Sequence, residues 1–391
     1  MAVLLLRFEI KITQDQDTVR FVRAVSQITV NLSAEKPADS AEVHVPATKK
    51  IEDLKLFEPS NGSGATIEIG FGYLGDKAQK ATVYAGIITW ISPDLPLVIK
   101  AEDTFTKAKR KYFTETYCKG GKRLYYSEIA QDVLSRAGLK DYCMPAATTD
   151  LDARPRSMEF KNQTVAQAMA RLSEEIQWVH FCIPGEEKVY FGPNWPYHRN
   201  LLPEEGEASP KVLCYRIGSG RERSNYEAGS QFSPSWGNVI SASSLKYRTD
   251  KPYSKAICNL VDREQQNKSV KGEYPETEKE YKTERVKEGQ EFSFTRVYSF
   301  DQGKEEAEDR AKELVKRKFH ELNAAQYEGS FTTFGNPLLS HSHRIWLASA
   351  EHPERNDYYD VKSVTFNYSP SGGFRMTVDV RKPPDELLPK E

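Results

Sequence analysis

The chain has 391 residues, 55 Lys and Arg against 56 Asp and Glu, and a formal net charge of −1. That length predicts more than one hydrophobic core. A balance so near zero supplies no field of one sign to draw the whole chain onto nucleic acid or an anionic membrane, and no apolar run approaches the ~20 residues of a spanning helix.

The apolar share of 38% is low for this size, so much of the chain is irregular or its burial is completed by partner chains. Twenty Tyr and 18 Phe lean it toward strands. Cys118, Cys143, Cys182, Cys214 and Cys258 form no C-x-x-C pair, which predicts reduced thiols in a protein made in the cytoplasm, not a disulfide framework or zinc cage.

Residues 1–113 read as a β domain. The opening "MAVLLLRFEI" is too short before Arg7 and Glu9 for a secretory signal and reads as a first strand. "VSQITVNLS", "SAEVHVPA", "ATIEIGFGY", "ATVYAGIITWI" and "PLVIKAED" follow as period-2 runs separated by Pro, Gly, Asn and Asp, the pattern of an antiparallel barrel or sandwich.

The texture changes over 114–204, which predicts a small α/β module. "YSEIAQDVLSRAGL" is a helix with Ser127 as expected N-cap, Ile129, Val133, Leu134 and Ala137 on one face, and Gly138 as stop. "NQTVAQAMARLSEEIQW" is a second helix. Thr164 and Gln167 form its capping box, and Val165, Met169, Leu172 and Ile176 its buried stripe. "VHFCIPGEEKVYFGP" then reads as strand, turn and strand.

Strands return over 205–391 in "KVLCYRIGSG", "GNVISASSLKY" and "SKAICNLV". The charged stretch 262–290 is nearly free of apolar side chains and predicts an exposed loop, or else a long hairpin. A helix over about 302–323 carries Ala307, Ala311, Leu314, Val315, Phe319 and Leu322 on one side. "YEGSFTTFGNPLLS", "HRIWLASA", "YYDVKSVTFNYS" and "FRMTVDV" close the chain as strands.

The ends of the first and last segments match in order. "ATIEIGF", "TVYAGIITWIS" and "PLVIKAED" parallel "HRIWLAS", "YYDVKSVTFNYS" and "FRMTVDVRK" in strand length and turn placement, with few identities. The expectation is therefore a β-rich α+β chain holding two related antiparallel, barrel-like β domains around the small α/β module.

No catalytic constellation stands out. Glu102 and Asp103 are adjacent in a strand and point to opposite faces, so they cannot converge on one atom as a glycosidase pair must. Asp103 is better placed to cap the turn that follows. His341-Ser-His343 would set two imidazoles on one side of an extended segment, but no third ligand follows at metal spacing, and an exposed strand entry is expected. Glu174-Glu175 reads as a solvated helix face, "TKAKRKY" at 106–112 as a solvated rim, and the two "GSG" runs lack a phosphate-loop context. No cofactor or metal site is expected.

Taken in order, several of these segments carry a resemblance. Asp39, Ala41, Val43 and Pro46; Gly72 and Tyr73; Tyr84, Gly86 and Ile88; and Glu102 with Asp103 resemble the hub proteins of contractile phage tails. That family, labelled late control gene D protein, includes the Mu baseplate hub and the hub half of VgrG spike proteins. Ser40 stands where the family more often has Thr. "NQTVAQAMARLSEEIQWVHFCIPGEEKVYFGP" resembles its middle module, and the segment from "GSFTTFGNPLLS", with Gly335 and Pro337, its final β domain.

The resemblance implies a non-enzymatic homotrimer whose six β domains form a pseudo-sixfold ring, joining a hexameric tail-tube protein to a trimeric spike on a separate chain. Tape-measure and baseplate-wedge proteins are further implied neighbours, in a virion tail or injection-system baseplate assembled in the cytoplasm. Sequence-specific nucleic-acid binding is not implied. The alternatives are a tail-associated cell-wall glycosidase and a carbohydrate-binding adhesin on a β scaffold.

Overall fold

The period-2 runs become strands because each sends its apolar residues to one side. β4 (Ser40–Val45) alternates half-buried and buried positions along its length and buries Ala41, Val43 and Val45. The structure, a computed structural model, describes residues 5–14, 18–46, 64–74, 79–92, 94–119, 124–139, 141–143, 152, 155, 157–176, 178–184, 188–192, 213–217, 239–247, 253–262, 269–275, 290–298, 304–324, 327–349 and 351–382.

The first strand set comprises β1 (Leu5–Gln14), β2 (Thr18–Val22), β3 (Gln27–Ser33), β4, β5 (Thr66–Leu74), β6 (Gln79–Ile91) and β7 (Leu97–Glu102). Its spatial order is β3-β4-β7-β6-β5-β1-β2, antiparallel throughout.

The last set comprises β13 (Leu213–Ile217), β14 (Val239–Ser241), β15 (Lys246–Tyr247), β19 (Tyr327–Phe334), β20 (Arg344–Ser349), β21 (Asp357–Ser369) and β22 (Gly373–Arg381). Its order is β14-β19-β22-β21-β20-β13, with β15 also on β19. Taking β1, β3, β4, β5, β6, β7 beside β13, β14, β19, β20, β21, β22, both sets have the spatial order 2-3-6-5-4-1. They differ at one pair: β1 is antiparallel to β5, whereas β13 is parallel to β20.

The two sets join edge to edge. The C-terminal part of β21 pairs with β3, Val364 opposite Leu32 and Phe366 opposite Val30, so a single 14-stranded sheet carries both. One core runs through it. Phe71 of β5 stacks on Phe374 of β22 at 4.1 Å between ring centroids, and Phe8 of β1 meets Tyr368 of β21 at 5.2 Å. The largest fully buried side chain is Arg344 on β20, whose Nε donates to Asp360 Oδ1 of β21 at 2.8 Å.

The middle module holds α1 (Thr106–Arg110), β8 (Tyr112–Tyr117), α2 (Tyr126–Arg136), β9 (Asp141–Cys143), β10 (Met158–Thr164), α3 (Val165–Ile176), β11 (Val179–Cys182) and β12 (Lys188–Gly192). β8 pairs with β10, and β9 lies parallel to β12, itself antiparallel to β11. The capping box of α3 forms as expected: Gln167 N–H donates to Thr164 Oγ1 at 3.1 Å, and Thr164 N–H to Gln167 Oε1 at 2.9 Å. Val165, Met169, Leu172 and Ile176 are buried. α2 ends at Gly138, whose φ of +77° suits the left-handed position after a helix.

Three local expectations are corrected. Ser127 is not the N-cap of α2; Tyr125 is, and its N–H donates to Glu128 Oε2 at 2.7 Å, so an acid in the first turn replaces a hydroxyl cap. Glu175 is not solvated; it accepts from Tyr126 Oη at 3.0 Å and Arg171 Nε at 3.1 Å, fastening α3 to α2. The basic run is no open rim alone, because Thr106 and Ala108 of α1 are buried while Lys107, Lys109 and Arg110 stay outside.

A separate unit interrupts the last set between β15 and β19. β16 (Tyr253–Asp262) lies between β17 (Ser269–Tyr274) and β18 (Gln290–Tyr298), and α4 (Lys304–Ala324) covers one face. Ala256, Cys258 and Leu260 of β16 pack on Ala307, Ala311, Leu314, Val315 and Phe319. The charged stretch is therefore not all loop. Residues 269–274 are a strand, and Gly272 permits it: a Cβ there would lie 2.5 Å from the Ala311 carbonyl carbon of α4. The rest of 262–290, beyond Asp262 and 269–275 and before Gln290, lies outside the described residues.

Candidate functional site

The adjacent acids sit where β7 leaves the sheet for the middle module. Asp103 is buried and spends both carboxylate oxygens on backbone: Oδ1 accepts the Phe105 N–H at 2.8 Å, capping the turn into α1, and Oδ2 accepts the Asp39 N–H at 2.7 Å. Asp39 is buried in turn and accepts the Ser33 N–H on Oδ1 at 2.8 Å. Glu102 faces the other way and accepts from Thr106 Oγ1 at 2.8 Å and Lys109 Nζ at 2.7 Å. The pair diverges, as neighbours in a strand must.

Two further motif residues complete this joint. The ring of Tyr84 lies over Gly86: a Cβ at 86 would come 2.5 Å from the Tyr84 hydroxyl and 2.4 Å from the Glu102 carbonyl oxygen. The aromatic-x-Gly pattern is thus a packing device, a glycine whose missing side chain is filled by the residue two before it on the same strand face. Tyr190 and Gly192 of β12 repeat it, with the hydroxyl 2.6 Å from the same hypothetical atom.

The joint also takes residues from the rest of the chain. Thr104 Oγ1 lies 3.7 Å from Cys182 Sγ of β11, and Phe181 packs edge-on against His341 at 4.8 Å. His341 Nε2 is 3.6 Å from Asp39 Oδ2, beyond hydrogen-bond reach. The expected exposed entry at His341-Ser-His343 is therefore wrong. The segment is a turn before β20, Ser342 has φ +62°, and His341 is 1% exposed because it plugs the space between the first strand set and the middle module.

The electrostatics follow from dryness. Burial, then the nearby Asp39, pushes the Asp103 carboxyl up to about 7. Burial raises the Tyr84 phenol and the Cys182 thiol well above their ordinary values, with Asp103 and Asp39 adding to both. Glu102 is partly desolvated, yet hydrogen bonds from Lys109 and Thr106 outweigh this and hold it below the usual range. A raised thiol is a poor nucleophile. No cluster of three or more His, Cys, Asp or Glu side chains suited to a metal occurs among the described residues.

The remaining motif positions meet at a second seam. Tyr73 of β5 donates through Oη to the Gly335 carbonyl at 2.7 Å, tying the first set to the turn after β19. Gly335 lies under the Phe374 ring, 2.2 Å from where a Cβ would stand, and Pro337 is buried beside it in chain order. Gly72, next to Tyr73, is buried. Pro46 follows the far end of β4 from Asp39 and joins neither seam. Asp39, Tyr73, Gly86, Glu102, Asp103 and Gly335 therefore stand where chain segments are fastened together, and the burial of His341 beside them is what sequence reasoning missed.

No family model matches the chain, and no curated protein matches it in sequence. Solved structures share its fold over its whole length. The tail protein from Neisseria meningitidis MC58 superposes with a TM-score of 0.60 at 12% identity over 97% of both chains. The 43 kDa tail protein of prophage MuSo2 from Shewanella oneidensis gives 0.56 at 12% over 97% of this chain and 100% of that one. A chain of the Francisella PdpA–VgrG complex gives 0.55 at 8%, covering 99% of this chain and 60% of its own length. The molecule thus has the β-rich fold of tail proteins, shared with a chain of the PdpA–VgrG complex. No described helix is long and apolar enough to cross a membrane.

Proposed function

We propose that this chain is a structural baseplate hub of a contractile tail or injection system, acting as a homotrimer without enzymatic activity. The observation that carries the reading is the strand order 2-3-6-5-4-1 occurring twice in one chain whose full length has a tail-protein fold. A sixfold tube cannot meet a threefold needle through equivalent contacts. Three copies of a chain with a duplicated unit present sixfold-like and threefold symmetry together.

In this reading the ring meets a hexameric tail-tube protein on one face and a separate spike protein on the other, with tape-measure and wedge proteins nearby. In this reading the duplicated units lie within the expected segments 1–113 and 205–391, the second interrupted by the β16–α4 unit, and the module between them begins at α1 (Thr106–Arg110), a few residues before the expected 114. The glycosidase reading finds no support at Glu102 and Asp103, which diverge and are committed to hydrogen bonds.

Subunit contacts of an obligate ring bury on the order of 2,000 Å² or more. Light scattering on the purified full chain tests this: a mass three times the 44.5 kDa chain at micromolar concentration is expected, and a clean monomer would overturn the reading.

A further inference from the structure

The joint between the first strand set and the middle module holds two carboxyls and no fixed cation. Asp39 and Asp103 are both buried, and among the described residues neither is ion-paired to Lys or Arg. Both oxygens of Asp103 are taken by backbone N–H groups, and Asp39 Oδ1 accepts the Ser33 N–H. Asp39 Oδ2 is left facing His341 Nε2 at 3.6 Å. That nitrogen is itself buried and has no hydrogen-bond partner among the described residues. A buried polar atom left without a partner is costly, and so is a buried carboxylate without a counter-charge.

The two atoms that lack partners are thus an imidazole nitrogen and a carboxylate oxygen turned toward each other. The second ring nitrogen, Nδ1, lies 3.0 Å from Ser342 Oγ. A neutral imidazole has one N–H, whereas the charged ring has two and donates at both ends. Nδ1–H then serves the Ser342 hydroxyl and Nε2–H serves Asp39, once the gap narrows to the ~2.8 Å of a charge-assisted bond. His341 lies in the turn before β20, outside the ladder that holds β20 to β21, so a shift of under an ångström does not disturb the sheet.

No other group here can take that place. Tyr84 of β6 and Cys182 of β11 are raised by burial and so uncharged, and Asp103 at the end of β7 is pushed up to about 7 by burial and by Asp39. Phe181 of β11 covers the ring edge-on. Glu102 turns to Lys109, Glu35 is paired with Lys362, and Arg344 with Asp360. On the turn itself, His343 Nδ1 accepts the Ser340 N–H at 3.4 Å.

We propose that His341 and Asp39 form a proton-operated latch: when the imidazole takes up a proton, Nε2–H closes onto Asp39 Oδ2 and fastens the turn before β20 to the β3–β4 turn, and when the proton leaves, the contact opens. One proton passes from solvent to the ring, and no covalent bond between heavy atoms changes. Histidine is the side chain whose charge changes across the physiological range, so the segments meeting here are held harder in mild acid than in mild alkali. The latch is a property of one joint in the chain and does not depend on the hub reading.

Hydrogen–deuterium exchange on the full chain at about pH 6 and about pH 8, with rates corrected for intrinsic chemistry, tests it. Segments 33–40 and 336–343 are expected to exchange about tenfold more slowly at the lower pH, the worth of a hydrogen bond to a charged group. His341→Gln and Asp39→Asn are each expected to abolish that difference, whereas Asp103→Asn keeps it. Equal corrected rates in the wild type overturn the proposal, and so does a difference that survives His341→Gln or vanishes with Asp103→Asn. Where a variant does not fold, wild-type crystals at the two pH values decide. An Nε2–Oδ2 separation within about 3.0 Å at the lower pH and beyond about 3.5 Å at the higher is expected, and an unchanged separation overturns the latch.

Discussion

Replacing Arg344 by alanine is expected to destabilise the chain by about 3–5 kcal/mol, read as a drop in the denaturant midpoint at constant slope. Arg344 is 0% exposed, and its guanidinium is held against Asp360 across the β20–β21 pair. Removing it strands a carboxylate that burial already drives up to about 6, with Arg344 the first of the charges holding it down. Arg381 lies opposite Asp360 on β22 and softens the loss without replacing the Nε–Oδ1 bond. A cost below about 1 kcal/mol would show the pair to be solvated, and with it the β20–β21 join looser than described.

The second large effect is expected at Asp103. Asp103→Ala leaves the N–H groups of Asp39 and Phe105 buried without their acceptor, a loss on the order of 3 kcal/mol. Its pH dependence has a definite sign. The folded-state value of about 7 lies above the unfolded value near 3.8, so the folded chain holds a proton that the unfolded chain releases. That contribution is complete below about pH 4 and is lost as pH rises through 7. Melting temperatures of wild type should therefore fall across pH 4–7 more steeply than those of Asp103→Asn, which has no proton to lose there. Parallel profiles would remove Asp103 as the source.

The pattern of alternation made most strands of the 14-stranded sheet legible, since β1, β3, β4, β5, β6, β7, β19, β20, β21 and β22 each bury one face. The three longer helices were legible through their apolar stripes, and α3 through its capping box as well, whereas the cap of α2 was misplaced and the short α1 was hidden in a basic run. β2 and β18 were not: in "TVRFV" the exposed Val19 and Phe21 lie on the face opposite buried Val22, and in "QEFSFTRVY" Phe292 and Phe294 are only half-buried, which erases the contrast that periodicity needs. β17 was hidden by charge, its strand character resting on Gly272 against α4.

At the site, the divergence of Glu102 and Asp103 followed from strand geometry, and so did the turn-capping role of Asp103. The burial of His341 did not follow, because it depends on the middle module and the first strand set closing over a turn from the far end of the chain. The pairing of β21 with β3, across more than 300 residues, leaves no local trace at all.

The central claim is that one polypeptide carries the six-strand unit twice, so that three copies present a ring with sixfold appearance. End-on electron micrographs of the purified full chain test it most directly. The account predicts a ring of six similar lobes around an open centre, with threefold symmetry once the β16–α4 units are resolved; a solitary globule, or a ring with one lobe per chain, would contradict it.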